Sequence, residues 1–174
     1  MKIRIPLASL FVALVLAGCG QKDSSSTATA AATPAPAAGP REVDLTANDT
    51  MKFMLGDRVS GTGTGLQIEV KAGEQVKVVL TNTGTLPKEA MGHNWVLLKA
   101  GSDSAAFAAA ATAAKDTDYL PPALKDQVIA NIGTLGPRKS GEVTFTAPAP
   151  GEYPFLCTFP AHYAVGMKGT LVVK

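Results

Sequence analysis

The 174-residue chain contains two imidazoles, His93 and His162, and two thiols, Cys19 and Cys157. The stretch Cys157-Thr-Phe-Pro-Ala-His162-Tyr-Ala-Val-Gly-Met167 places a thiol, an imidazole and a thioether at C-x4-H-x4-M spacing, with His93 well upstream. Together these side chains form a soft nitrogen-and-sulfur donor set. Two His and one Cys in a trigonal plane with a weak axial Met describe a mononuclear blue-copper electron-transfer site. Thiolate covalency gives the electron a route into the metal. Thiolate and thioether favour the cuprous state and imidazole satisfies the cupric one, so one geometry acceptable to both keeps rearrangement small. A single Cys is ordinarily inert filling. Here the only imidazoles and the only thiol outside the N-terminal segment coincide with a Met, and that coincidence selects the metal reading. Zinc suits the set less well, because thioether is not among its usual donors.

Cys19 is accounted for separately. Lys2 and Arg4 precede the apolar run from Pro6 to Leu16, which has the charged start and short apolar segment of a secretory signal. The run falls short of the roughly 20 apolar residues a membrane-spanning helix requires. It ends in Leu16-Ala17-Gly18-Cys19, which resembles the bacterial lipoprotein signal, in which the Cys is diacylated and becomes the mature first residue. Residues 1–18 are therefore expected to be a lipoprotein signal peptide and Cys19 a lipid carrier. Cys157 would then be a lone thiol in an oxidising compartment, which is unusual without a ligand role. Residues 19–40, rich in Ser, Thr, Ala and Pro, are expected to be a flexible tether. Gly20 and Gln21 lack the Asp that commonly retains such lipoproteins at the inner membrane, so the expected location is the periplasmic side of the outer one.

The domain at 41–174 must position the donors. Lys2, Arg4 and Lys22 lie ahead of it against Asp23 alone, which leaves 13 basic and 13 acidic residues from position 41 onward. A neutral domain has no basic field to collect phosphates, so nucleic acid is excluded as a partner. Short alternating segments punctuated by Gly, Pro and Asn predict strands at 66–70, 76–81, 93–98, 142–146, 151–157 and 169–174. Several strands at that spacing indicate an all-β Greek-key sandwich or barrel. The alanine-rich stretch 102–115 predicts one inserted helix on the sandwich's flank, capped by Ser102 or Asp103 and closed by Pro121-Pro122. Trp95, two residues past His93 on a strand, is expected in the core, with Met51 and Met54 in the core or at its rim.

Six strings carry a resemblance: Leu86-Pro-Lys88, Met91-Gly-His-Asn-Trp-Val-Leu97, Asp118-Tyr-Leu120, Val128-Ile-Ala130, Cys157-Thr-Phe-Pro160 and Met167-Lys-Gly-Thr-Leu171. The chain from about Val43 onward resembles the azurin branch of the cupredoxins. The resemblance implies one copper per chain, with His93, Cys157 and His162 as equatorial ligands and Met167 as the axial one. It places the Gly92 carbonyl weakly on the opposite axial side. Asn94, Thr158 and Phe159 fall directly behind the ligands, where hydrogen bonds tie the two ligand segments together.

Three departures accompany it. Four residues, Tyr163 to Gly166, separate His162 from Met167 where azurins have three, a spacing like that of the auracyanins. The Cys pair that staples the early strands of azurins is missing. Ala161 stands where Gly is usual, beside the bulky Tyr163. The N-terminal segments look like those of lipid-modified azurins. Met91, Phe159, Pro160, Ala161 and Tyr163 are expected to form an apolar ring around an exposed edge of His162, where relatives dock redox proteins such as c-type cytochromes and terminal reductases or oxidases. The expected activity is single-electron transfer without a small-molecule substrate, and the chain is not expected to be an enzyme. An enzyme accessory or surface-interaction module in which copper only stabilises the fold is one rival reading; copper sequestration or delivery without redox cycling is the other. It would call for an open Met- and His-rich tract, which the sequence lacks.

Overall fold

Alternation of apolar and polar residues builds two sheets. In the strand Leu66–Val70, Leu66, Ile68 and Val70 are buried while Gln67 and Glu69 face solvent. A computed structural model describes residues 39–62 and 65–174. The expected signal peptide, Cys19 with its expected lipid and nearly all of the expected tether lie outside the described residues. The strands are β1 (Arg41–Asn48), β2 (Lys52–Leu55), β3 (Arg58–Val59), β4 (Leu66–Val70), β5 (Gln75–Asn82), β6 (His93–Leu98), β7 (Val128–Leu135), β8 (Ser140–Thr146), β9 (Gly151–Leu156) and β10 (Lys168–Val173). One sheet has the order β3-β2-β1-β5-β8 and the other β4-β10-β9-β6-β7, giving the expected all-β sandwich. The strands β1 and β5 pair in parallel, as do β4 and β10.

Four of these strands were not predicted. Val43, Leu45 and Ala47 of β1 are buried in alternation, but the polar residues around them weaken the signal until β5 supplies a partner. The strands β2 and β3 are too short to announce themselves, and β7 carries Asn131 and Gly133. The strand β1 also gives the domain a direction. It starts at Arg41 and runs to Asn48, whose carbonyl faces His93, so the chain enters the sandwich at the end remote from that imidazole.

The alanine helix α2 spans only Ser104–Ala111, shorter than the predicted 102–115. Asp103 caps it, its carboxylate accepting from the Ala105 and Ala106 amides at 3.0 Å each. Phe107 and Ala111 are its only buried residues, so further turns would have nothing to pack. A second, unpredicted turn of helix, α1, covers Lys88–Met91. Phe107 packs on Val96, Leu98 and Leu156, on the outer face of the β6–β9 pair. The inner side chains Trp95 and Leu97 join the main core, where Trp95 lies 5.8 Å from Phe155 and 6.1 Å from Phe145 between ring centroids. Every residue of β6 is therefore buried, and His93 begins a strand clamped on both faces. Met51 and Met54 are half-buried at the rim.

Candidate metal centre

Three neighbouring strands deliver the donors to one end of the sandwich. His93 opens β6, Cys157 follows β9, and Met167 precedes β10. The β9–β10 register, Leu156 opposite Lys168, brings Cys157 and Met167 side by side, and the Cys157 amide donates to the Met167 carbonyl at 3.0 Å. Between them the chain folds back on itself: the His162 amide bonds the Phe159 carbonyl at 3.1 Å and the Met167 amide bonds the His162 carbonyl at 3.0 Å. Ala161 takes a left-handed φ of 70°, the conformation that makes Gly usual at this position.

The metal-binding atoms of His93, Cys157 and His162 all lie within 4.8 Å of one another. The Cys157 sulfur is 3.4 Å from Nδ1 of His162, and the two imidazole centroids are 4.9 Å apart. All three residues are buried, as is Met167. Neither ring nitrogen of His93 has a hydrogen-bond partner. Buried polar atoms are nearly always paired, and a neutral imidazole keeps one lone-pair nitrogen, so this unpartnered ring marks a place for a cation. Thiolate and imidazole crowded together without a carboxylate fit copper in particular.

Burial dominates the protonation states. It pushes His162 down to about 4, and the neighbouring His93 adds to the effect. Burial also lowers His93; the Asn48 carbonyl, which faces the ring without the alignment of a hydrogen bond, and the Asp49 carboxylate only partly oppose it. The Cys157 thiol is raised to about 12, against a downward pull from the backbone N–H groups of Asn94 and Phe159. At neutral pH both imidazoles are free to accept a metal, and a metal on Cys157 must displace one proton.

These shifts predict an acid weakness of the metal-free protein. Between about 4, the folded His162 value, and 6.5, its ordinary value, the unfolded chain binds protons that the folded chain refuses. Stability in that window therefore rises with pH and is lost on acidification. Urea unfolding midpoints of the copper-free chain should fall steadily from pH 7 to pH 5. A flat profile would show that these imidazoles are not desolvated.

Behind the donors, Asn94 bridges the two ligand segments. Its side-chain amide donates to the Thr158 hydroxyl at 2.6 Å, and its carbonyl oxygen accepts from the Thr158 amide at 2.7 Å. Phe159 lies tilted against His162, with ring centroids 4.8 Å apart, and meets Tyr119 edge-on at 5.0 Å. Gly92 is held glycine by crowding, since a Cβ there would come within 2.5 Å of Thr134 Cγ2 and 2.7 Å of the Lys88 carbonyl.

The apolar ring differs from expectation. The His162 residue is only 1% exposed, so no open imidazole edge is present; Phe159 covers it and is itself buried. Tyr163 turns away to the flank, its hydroxyl 3.0 Å from the Ser104 hydroxyl on α2 and its ring under the Lys168 ammonium. Met91 and Pro160 are half-buried and Ala161 is exposed. Sequence reasoning missed Leu86 and Val165, both 43% exposed, the first ahead of α1 and the second in the ligand loop. It also missed Asp118, which sits at φ 57° and accepts the Thr134 amide on its carboxylate, while its carbonyl lies 3.4 Å from the Asn94 side-chain amide.

Residues 64–174 match the family model described as copper binding proteins, plastocyanin/azurin family. The chain belongs to the plastocyanin/azurin family. Auracyanin-A of Chloroflexus aurantiacus is 34% identical over 180 aligned positions, covering 100% of both chains. Azurin of Pseudomonas aeruginosa is 37% identical over 135, covering 76% of this chain and 84% of that protein. Auracyanin-B of Chloroflexus aurantiacus reaches 48% over 82 residues, but these span 47% of this chain and only 35% of that protein. Among solved structures, the reduced auracyanin of Roseiflexus castenholzii superposes with a TM-score of 0.64 at 36% identity, over 76% of this chain and 96% of that one. For a member of the plastocyanin/azurin family, the buried His93–Cys157–His162 cluster is the place to hold copper.

Proposed function

We propose that this chain is a type 1 blue-copper electron carrier, in which His93, Cys157 and His162 would be the main copper ligands and Met167 and the Gly92 carbonyl weaker donors. The convergence of three buried donor residues, whose ligand atoms lie within 4.8 Å of one another and whose His93 ring nitrogens have no hydrogen-bond partner, carries the reading. Bound there, copper supplies a one-electron couple between its cupric and cuprous states. The protein's part is to fix the donors. The strand β6, packed on both faces, immobilises His93; the Asn94–Thr158 bridge ties it to the Cys157 segment, and the folded-back loop sets His162 and Met167. A pocket this well buried excludes water and limits reorganisation during transfer.

The partners are redox proteins, c-type cytochromes or terminal reductases and oxidases, rather than nucleic acids or small molecules. They dock on the apolar rim formed by Leu86, Met91, Pro160 and Ala161, so the electron crosses by way of Phe159 and His162. Diacylation of Cys19 holds the protein at the periplasmic side of a membrane, the outer one favoured, with residues 19–40 as the tether. This reading of the N-terminal segments rests on sequence alone.

The test is to load the purified chain with one equivalent of cupric ion and titrate it with a mild reductant. An intense visible band that bleaches and returns reversibly is expected. A colourless or irreversibly bleached complex would sink the carrier reading and bring copper sequestration forward. Met167→Leu should keep the colour and raise the midpoint potential: soft sulfur suits the cuprous ion, yet in so dry a pocket the loss of any donor costs the more highly charged cupric ion more. A tenfold change in the relative affinity for the two copper states corresponds to about 59 mV, which sets the scale expected in voltammetry. An unchanged potential would remove Met167 from the ligand set.

A further inference from the structure

The loop between His162 and Met167 is held from outside as well as by its own backbone. Lys52, the first residue of β2, reaches across to donate a hydrogen bond to the Val165 carbonyl, 113 positions along the chain. That carbonyl takes no part in the loop's own backbone hydrogen bonds. The ammonium sits in a notch made by two glycines with left-handed φ, Gly61 at 73° and Gly166 at 94°. A Cβ on Gly61 would lie 2.7 Å from Lys52 Nζ, and one on Gly166 would lie 2.8 Å from the Gly61 Cα. The two backbones therefore touch, and the space left beside them is filled by the ammonium. Among the described residues no carboxylate pairs with Lys52, so its charge is not neutralised by a neighbour.

We propose that Lys52 is a positioning residue for the metal loop: it pins the Val165 carbonyl, and with it the approach to Met167, while its charge biases the centre toward the reduced state. The proposal rests on the copper reading above and assigns this role to a side chain distant in sequence from every donor. The Val165 carbonyl has no backbone partner, and a charged donor is roughly twice as strong there as a neutral one. A cation near the site opposes the cupric state more than the cuprous one, because the cupric ion carries the greater positive charge.

The experiment compares the full chain with Lys52→Met, Lys52→Arg and, as a surface control, Lys99→Met. Amide exchange at Gly166 and Met167 is read on the copper-free proteins. Copper release to a chelator and midpoint potential are read after loading. In Lys52→Met both amides should exchange about tenfold faster, copper should leave about tenfold faster and the potential should drop. Lys52→Arg should restore all three, and Lys99→Met should match the wild type. Unchanged amides and unchanged release in Lys52→Met would overturn the proposal, as would failure of Lys52→Arg to rescue. A wild-type chain that binds cupric ion without the blue band would refute the copper reading alone, and amide exchange on the copper-free chain would still decide for or against Lys52.

Discussion

Cys157→Ser will abolish the intense visible absorption of the copper-loaded protein, because that absorption is a transfer of charge from thiolate sulfur to the metal. A serine hydroxyl stays protonated in so dry a pocket, so affinity for copper should fall by more than the ~10–100-fold that loss of an outer-layer partner costs. The fold should survive. The backbone N–H groups of Asn94 and Phe159 that point at the sulfur can donate to a hydroxyl instead, which offsets most of the penalty for burying it. Absorption spectra and thermal melts of the same preparation check both halves. A serine variant that remained blue would remove Cys157 from the site, and with it the reading of the whole cluster. A colourless variant that also failed to fold would call for Cys157→Ala, which asks nothing of the hydrogen-bonding groups.

Asn94→Ala should be the most damaging substitution among the polar side chains behind the donors. It removes both halves of the bridge to Thr158 and leaves a buried amide and a buried hydroxyl without partners. Each group so abandoned costs about 1–3 kcal/mol, which puts the total at about 2–4 kcal/mol once partial relaxation is allowed. Thr158→Val removes only the hydroxyl arm and should cost less. The double variant should cost less than the sum of the two, with a coupling on the order of 1 kcal/mol, because both singles break one shared contact. Denaturant unfolding of the four copper-free proteins measures this directly. A loss below about 0.5 kcal/mol for Asn94→Ala would mean the segments hold together without the bridge.

The donors were legible because they are chemically rare in this chain. Two imidazoles and one thiol outside the N-terminal segment leave few ways to build a metal site, and the Cys-to-Met spacing fits one loop between two strands. The strands were legible where apolar residues alternate cleanly, as in Leu66–Val70, and illegible where pairing decides. Val128–Leu135 becomes a strand only because β6 lies beside it, with irregularities in the register. The helix was placed correctly but overextended, since alanine propensity says nothing about where the anchoring by Phe107 ends.

The groups that complete the site were illegible for a different reason. Asn48 faces His93, and Asp118 meets Asn94, through backbone carbonyls, which any residue type carries, and Lys52 acts on a segment far away in sequence. No pattern of side-chain types encodes such contacts. The exposure of His162 was misjudged because Phe159 was expected in a ring around an open imidazole edge, and it covers the imidazole instead.

The direction of β1 makes the domain a polar object. Its entry point at Arg41 and the carbonyl of Asn48 that faces His93 are at opposite ends of an eight-residue strand, roughly 24 Å of extended backbone. Whatever is joined ahead of Arg41 grips the sandwich by the end where no chemistry occurs. Fixed to an electrode by that end, the protein would present its metal pole to the solution and exchange poorly with the surface beneath, yet remain open to a dissolved partner. Fixed through the Leu86 rim, it would do the reverse. Attachment point alone would then decide whether the same fold behaves as an insulated post or as a contact.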